Sequence, residues 1–422
     1  MDYDCDILIV GAGLAGLYCA REILKHNSNK SVMVCEKYKK VGGRAVTFHK
    51  DGMQWEIGAG RISDSHTMVL GLIREYGLHT VPIQSGLQYR ETGSAEYEEN
   101  HFEPAIDIFL GPLQMLPHSV LGTHTLKEVM LGVYGPSKTQ RWMDRFPYHA
   151  EVVVMRADMA LREFFSEMKS HEGYSVCKEG LSALAEAMVA DIQKRGGIVH
   201  TEYELIDAHK GRAEFYVGSA SAFAASSHGK DGKDRPKTTI SAKKIVLALH
   251  ASALRKLPSL RGWAPLKHVT MSPLMRIYAV FPFTGKAWFK GLTRVVTTSP
   301  IRYFLPMNEK TGTAMISYTD NVFAKHYMKM DAKDMEKEVM KDLRDLFPER
   351  DIPDPTFFKA HPWTDGVSYW LPGQYRPADV SEAVLNPFPG LYVCGESFSL
   401  RQGWMEGALE HAALLLERHL TS

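Results

Sequence analysis

At 422 residues the chain is long enough for two or more structural units sharing a substantial core. Apolar and charged fractions of 45% and 23% are those of an ordinary globular protein, and a net charge of +1 gives no reason to expect a nucleic-acid or membrane-surface partner. The five cysteines, at 5, 19, 35, 177 and 394, sit mostly in apolar runs without paired spacing and read as reduced core thiols.

The acidic opening MDYDCDILIV runs straight into a strand, unlike a secretory or transit peptide. No run approaches the ~18 uninterrupted apolar residues of a membrane span. A soluble, cytoplasmic protein is expected. The apolar strand Asp6 to Val10 meets Gly11-Ala12-Gly13-Leu14-Ala15-Gly16, turns into a helix, and is followed by a second strand, SVMVCE, that stops at Glu36. In this pattern Gly11 permits a tight turn, Gly13 lets a pyrophosphate approach the backbone, and Gly16 lets helix and strand pack closely. The helix N-terminus faces the phosphates, and Glu36, 20 residues beyond Gly16, is placed to accept hydrogen bonds from ribose hydroxyls.

Six residues past the acid, Gly42-Gly43-Arg44 again thins the backbone and adds a bidentate anion donor. The segment QWEIGAGRIS, residues 54 to 63, reads as a strand that breaks into Gly58-Ala59-Gly60 and then presents Arg61. Residues 76 to 170 carry little signal beyond helix-like runs such as ADMALREFFSEMK. GLSALAEAMVADIQKRGG then spaces Leu181, Leu184, Ala185, Met188 and Ile192 as a helix closed by Gly196-Gly197.

IVHTEYELIDAH and TTISAKKIVLALHAS are expected to return to the first sheet, with the Ser/Gly/Lys-rich SASAFAASSHGKDGKDRPK as a surface loop between strands. LMRIYAVFPF and TAMISYTD read as further strands, and AKDMEKEVMKDLRDLF as an amphipathic helix. The chain closes with a strand, Leu391 to Cys394, that meets Gly395-Glu396, and a helix from about Trp404. A second strand-to-helix turn is what a long, two-ended cofactor needs. No metal-ligand spacing, nucleophile elbow or P-loop is present.

Four blocks, GAGLAG…E…GGR, WEIGAGRI, EGLSALAEAMVADIQKRGGIVHTEYELIDAH and YVCGES…GWMEGALE, resemble the flavin-containing amine oxidase superfamily, which includes monoamine, polyamine and L-amino acid oxidases. The resemblance implies an α/β chain. Residues 1–75, 171–255 and 385–422 would form a Rossmann-like FAD-binding domain of the amine oxidase/glutathione reductase type. Residues 76–170, mainly helical, and 256–384 would form a discontinuous mixed α+β substrate domain. It implies FAD held by Gly11, Gly13, Ala15, Gly16, Glu36, Gly43, Arg44, the Gly58-Ala59-Gly60-Arg61 segment, backbone near Tyr203, and Gly395, Glu396, Trp404 and Met405. With no cysteine in DGVSYW, where monoamine oxidases tether their flavin, binding should be noncovalent.

In the resembling L-amino acid oxidases an arginine matching Arg61 clamps the substrate carboxylate, a task suited to a planar guanidinium. The alternative is a structural pairing with a cofactor phosphate, Glu56 or Asp64. Trp404 matches the aromatic wall at the substrate amine, against a plain core tryptophan, and Tyr369 or Trp370 would supply the second wall. Arg276 stands where the family usually presents a lysine that reaches the flavin through water. It stays charged and cannot act as a base, so it would hold a water, stabilise reduced flavin, touch the carboxylate, or face solvent.

The implied activity is oxidation of an L-amino acid or related carboxylated amine by molecular oxygen, giving a keto acid, ammonia and hydrogen peroxide. A polyamine or monoamine oxidase with Arg61 structural, a desaturase, and a flavin-free binding protein on the same fold are the alternatives. A homodimer is left open.

Overall fold

The computed structural model describes residues 3–83, 86–99, 106–168, 173–218, 235–283 and 285–420. The surface loop expected between Gly218 and Lys237 lies almost wholly outside them.

The apolar strand Cys5–Val10 is buried on both faces, as its unbroken hydrophobic run requires. It pairs in parallel with Val32–Cys35 on one side and with the later half of Lys237–Leu247 on the other. Ile198–His200 extends the sheet beyond Val32–Cys35, and Leu391–Val393 lies parallel beside Lys237–Leu247. The earlier half of Lys237–Leu247 leaves this sheet to pair antiparallel with Arg212–Val217, which pairs in turn with Tyr203–His209. The helix Leu14–His26 packs between Leu181–Lys194 and the closing helix Met405–Leu415. Leu181, Leu184, Ala185, Met188 and Ile192 are all buried there, the face their spacing predicts.

The parallel strands end level with one another. Ala248 N–H donates to Val10 O at 2.9 Å and Cys394 N–H to Leu247 O at 3.2 Å. Gly11, Glu36 and Gly395 therefore leave the sheet at one edge, the carboxyl edge where open α/β sheets bind ligands.

A second sheet runs Phe357–Trp370, Val269–Val280, Thr313–Asp320, Tyr303–Asn308, Arg294–Thr297, Leu87–Arg90 and Glu98–Glu99. The region 76–170 is helical over most of its described length. Before its helices it contributes the strands Thr80–Pro82, Leu87–Arg90 and Glu98–Glu99. Leu87–Arg90 is only four residues long and held by a parallel pairing to Arg294–Thr297, a contact without local sequence signal. From Ile106 to Met168 the segment is helical, and its longest helix, Leu126–Arg145, is kinked at Gly135-Pro136.

All five cysteines are buried and none is disulfide-bonded. Among the described residues no helix is long and apolar enough to cross a membrane, and no group of three metal-ligating side chains occurs.

Candidate functional site

The cofactor crevice is built from bare backbone. Gly11 has φ +104°, and a Cβ there would lie 2.5 Å from Ala248 O. At Gly16 it would lie 2.0 Å from Gly11 O, so strand and helix meet only because this side chain is absent. Gly13 is different in kind. Its φ of −74° suits any residue, and an added Cβ would meet only Gly43 Cα, at 3.8 Å. Gly13 and Gly43 thus border a cradle with no side chain of its own. The helix that starts at Gly13 has no side-chain cap, which leaves its first N–H groups for an anion.

Glu36, 6% exposed, braces this turn: its carboxylate accepts from Ala12 N–H at 2.8 Å and Tyr38 N–H at 2.9 Å. Burial nevertheless holds its pKa above the usual carboxylate range, against the pull of those N–H groups. Tyr203 N–H donates to Glu36 O at 2.8 Å, and the Tyr203 ring stacks on His200.

At the other end of the crevice, Gly395 has φ +128° and open space where a Cβ would point. Glu396 accepts from Arg44 Nη2, Ser368 Oγ and Gly403 N–H, each at 2.8 Å. Burial opposes its charge, but Arg44 and these donors prevail and keep the carboxyl below its usual range. Arg44 also donates from Nη1 to Gly366 O at 2.9 Å. Two of the five N–H groups of Arg44 are engaged by protein, one of them on the Glu396 carboxylate, and the residue ties the N-terminal segment to the C-terminal one. The closing helix, entered through Trp404, also has no side-chain cap.

A dinucleotide fits this arrangement. The pyrophosphate would lie at Gly13, Ala15 and Gly43, the nucleoside at Glu36 and Tyr203, and the far end at Gly395, Glu396 and Met405.

Beyond Gly60 the chain delivers Arg61 into an aromatic cage. Its guanidinium lies 5.3 Å from the Tyr148 ring centre, 5.2 Å from Tyr174 and 5.5 Å from Trp404. Among the described residues it has no hydrogen bond or ion pair. Glu56, one proposed structural partner, is engaged by Thr47 Oγ1 and Leu181 N–H. Three rings stabilise the cation through their faces without using any N–H donor.

Trp404 is fixed from several sides. Its Nε1–H donates to buried Glu163, whose carboxyl burial pushes up to about 8. The edge of His66 meets it at 4.9 Å, and Tyr174 lies parallel to it at 6.1 Å. His66 Nδ1 accepts from Ser63 N–H, which leaves Nε2–H for Glu167 at 3.0 Å. Glu406, two residues after Trp404, accepts from Met68 and Val69 N–H and locks the closing helix to the helix Thr67–Glu75.

The alternation of the strand Phe357–Trp370 separates the two candidates for the second wall. Trp370 faces Phe398 and Tyr375, with Nε1–H on Ser399 O. Its ring is fully buried among these partners. Tyr369, equally buried, feels the charges of Glu151, Asp320 and Glu163 on the cage side.

Arg276 is 7% exposed, so it does not face solvent. Its Nη1 donates to Glu56 O at 3.2 Å and its guanidinium lies 4.6 Å from the Tyr318 ring centre. A Cβ on Gly60 would come within 3.1 Å of that Nη1. Arg276 thus backs the Gly58–Gly60 segment from the second sheet. Tyr148, Tyr174, Glu163 and His66 were not found from sequence. The first three lie in or beside the region 76–170, where no motif marks them, and only their convergence on Arg61 and Trp404 identifies them.

Residues 14–414 match the family described as flavin containing amine oxidoreductase. Among curated proteins the chain is 41% identical over 75 residues to putrescine oxidase of Kocuria rosea, which is 18% of this chain and 15% of the relative. It is 31% identical over 84 residues to flavin-containing amine oxidase B of Homo sapiens, 20% of this chain and 16% of that protein. These matched stretches span only about a sixth of the relatives' length. A putrescine oxidase variant redesigned in cofactor binding superposes with a TM-score of 0.74 at 16% identity, covering 98% of this chain and 99% of its own. Cyclohexylamine oxidase from Brevibacterium oxydans superposes with a TM-score of 0.72 at 17% identity and the same coverage. At such identities the superpositions establish the fold.

Proposed function

Because the chain belongs to the family of flavin-containing amine oxidoreductases, whose cofactor is FAD, we propose that it oxidises an L-amino acid or a related carboxylated amine. One observation carries this reading: Arg61, a charged guanidinium with no hydrogen bond or ion pair among the described residues, sits in an aromatic cage with Trp404.

A protonated amine offers such a group no acceptor, and a neutral one only a single lone pair. A carboxylate offers two acceptors in the plane of its fork. The cage faces hold the cation in place while its edge stays available, and the low-dielectric surroundings strengthen the pairing. What bound FAD supplies is an acceptor for the Cα hydride, with oxygen as the final acceptor, so the expected products are a keto acid, ammonia and hydrogen peroxide.

The chain's own contribution is placement. Arg61 fixes the carboxylate, while Trp404, held by Glu163 and His66, and Tyr369 wall the amine and exclude water. Arg276 is a permanent cation behind Gly60 and cannot serve as base. The chain FAD site lacks a cysteine in the strand Phe357–Trp370, which supports noncovalent binding.

The test is a peroxide-release screen of the common amino acids beside their decarboxylated amines. Amino acids should exceed the matching amines in kcat/KM by roughly 30-fold or more, the scale of a desolvated charge pair. Putrescine or a monoamine outperforming every amino acid would instead make this chain act like the relatives named above, with Arg61 structural.

A further inference from the structure

The ring of Tyr148 is one wall of the Arg61 cage, 5.3 Å from the guanidinium, yet its own hydroxyl does not hold it there. Tyr148 Oη is buried without a hydrogen-bond partner among the described residues. Phe146 and Tyr318 pack on the ring at 5.5 and 5.2 Å. Where the ring stands therefore depends on that packing and on the backbone that carries it.

That backbone, residues 146–150, hangs from the ends of two strands of the second sheet. Asp320 closes the strand Thr313–Asp320 and is 3% exposed. Its carboxylate accepts from His149 N–H at 2.9 Å and from Ala150 N–H at 2.7 Å. The second of these is the first N–H of the short helix Ala150–Val153, which has no side-chain cap of its own. Two residues before Asp320, on the same face of the strand, Tyr318 meets Tyr148. Arg302, just ahead of the strand Tyr303–Asn308, donates from Nη2 to Phe146 O at 2.6 Å. Asn321 Nδ2 lies 3.3 Å from His149 Nδ1.

Backbone strain collects at the same place. Five described residues other than glycine have left-handed φ, and only Arg302, at +54°, and Asn321, at +45°, are buried. Asparagine tolerates this conformation, whereas for arginine it is unfavourable and is kept only where the surroundings impose it. Both strained residues, and Asp320 beside one of them, grip the segment that carries Tyr148. Such concentration of strain is usual where a side chain must be held in one position for function.

We propose that Asp320 is a positioning residue: by holding His149 and Ala150 it fixes the Tyr148 ring against Arg61 and so aims the guanidinium at the substrate carboxylate. This rests on the reading of Arg61 given above. The influence of Asp320 on the substrate passes through Tyr148.

The experiment measures kcat and KM for the best amino acid and its decarboxylated amine on FAD-loaded wild type, Asp320→Ala, Tyr148→Leu and the double variant, with Arg61→Ala beside them. Asp320→Ala and Tyr148→Leu should each raise KM for the amino acid by roughly 5- to 30-fold, the scale of a desolvated cation–π contact. Neither should change kcat by more than about threefold, and the amine should shift less than about threefold in either constant. Because both residues act on one contact, the double variant should match Tyr148→Leu within about twofold. Asp320→Asn keeps an acceptor for Ala150 N–H but sets its amide group against His149 N–H. It should fall between wild type and Asp320→Ala, and it carries the same cycle where Asp320→Ala fails to fold. Losses that multiply in the double variant, or that strike amino acid and amine equally, would leave Asp320 a purely structural role and overturn the inference. So would an amino-acid KM unchanged in Tyr148→Leu or in both Asp320 variants. If Arg61→Ala remains selective against the amino acid, the clamp survives those results. Arg61→Ala slowing amine and amino acid alike would bring down both readings.

Discussion

Arg61→Ala is expected to reduce kcat/KM for the best amino acid by roughly 30-fold to several thousand-fold, the range set by losing a buried charged hydrogen-bond pair worth on the order of 2–5 kcal/mol. The loss follows from geometry. Tyr148, Tyr174 and Trp404 present ring faces to the guanidinium and carry no positive charge of their own, so without Arg61 the carboxylate enters an aromatic cage without its cationic donor. The effect should be selective. The decarboxylated amine lacks the group Arg61 recognises and should be oxidised as well as before, or better. FAD content should stay near that of the wild type, because Arg61 touches none of the Gly11–Gly16 turn, Glu36 or Glu396. An equal fall for amino acid and amine, or loss of flavin, would assign Arg61 to the cofactor scaffold.

The second large effect separates two glycines that a motif treats alike. Gly13→Ala should fold as the wild type does, since its φ is ordinary and its added methyl has only Gly43 Cα within 4 Å. That methyl, however, occupies the cradle where a pyrophosphate would lie, so purified Gly13→Ala should be nearly colourless and regain FAD only at concentrations roughly a hundredfold higher. Gly16→Ala should fail earlier. Its Cβ would lie 2.0 Å from Gly11 O, a backbone atom that cannot turn aside. The helix Leu14–His26 must lift from the sheet, at a cost of at least about 1–3 kcal/mol that unfolding of the flavin-free protein will show. If flavin-free Gly13→Ala proves as destabilised as Gly16→Ala, its role is in packing and the cradle is misassigned.

The contrast also shows which parts of the molecule were legible in the sequence. The Gly-rich turn and Glu36 are local: strand, turn, helix and acid all fall within residues 6–36, and their spacing carries their geometry. The closing strand and Gly395-Glu396 are legible for the same reason. Contacts between distant residues are not. Arg44 finds Glu396 across 352 residues, a clasp between chain ends that no local spacing announces. Leu87–Arg90, four residues long, pairs in parallel with the distant Arg294–Thr297 as well as with the short Glu98–Glu99. Tyr369 and Trp370 are adjacent and both aromatic, so only the face each takes in the sheet could separate them. Tyr148 and Tyr174 have no motif at all, and their meaning comes from a guanidinium more than eighty residues earlier in the chain.

Affinity for a carboxylate that cannot react tests the clamp without any turnover. The probe is the deaminated acid of the best substrate, titrated against the FAD-loaded wild type and Arg61→Ala and followed by the flavin absorbance. The clamp predicts that Arg61→Ala weakens binding of the acid by about 30-fold or more, while the matching amine binds both proteins within roughly twofold. Equal affinity of the two proteins for the acid would contradict it.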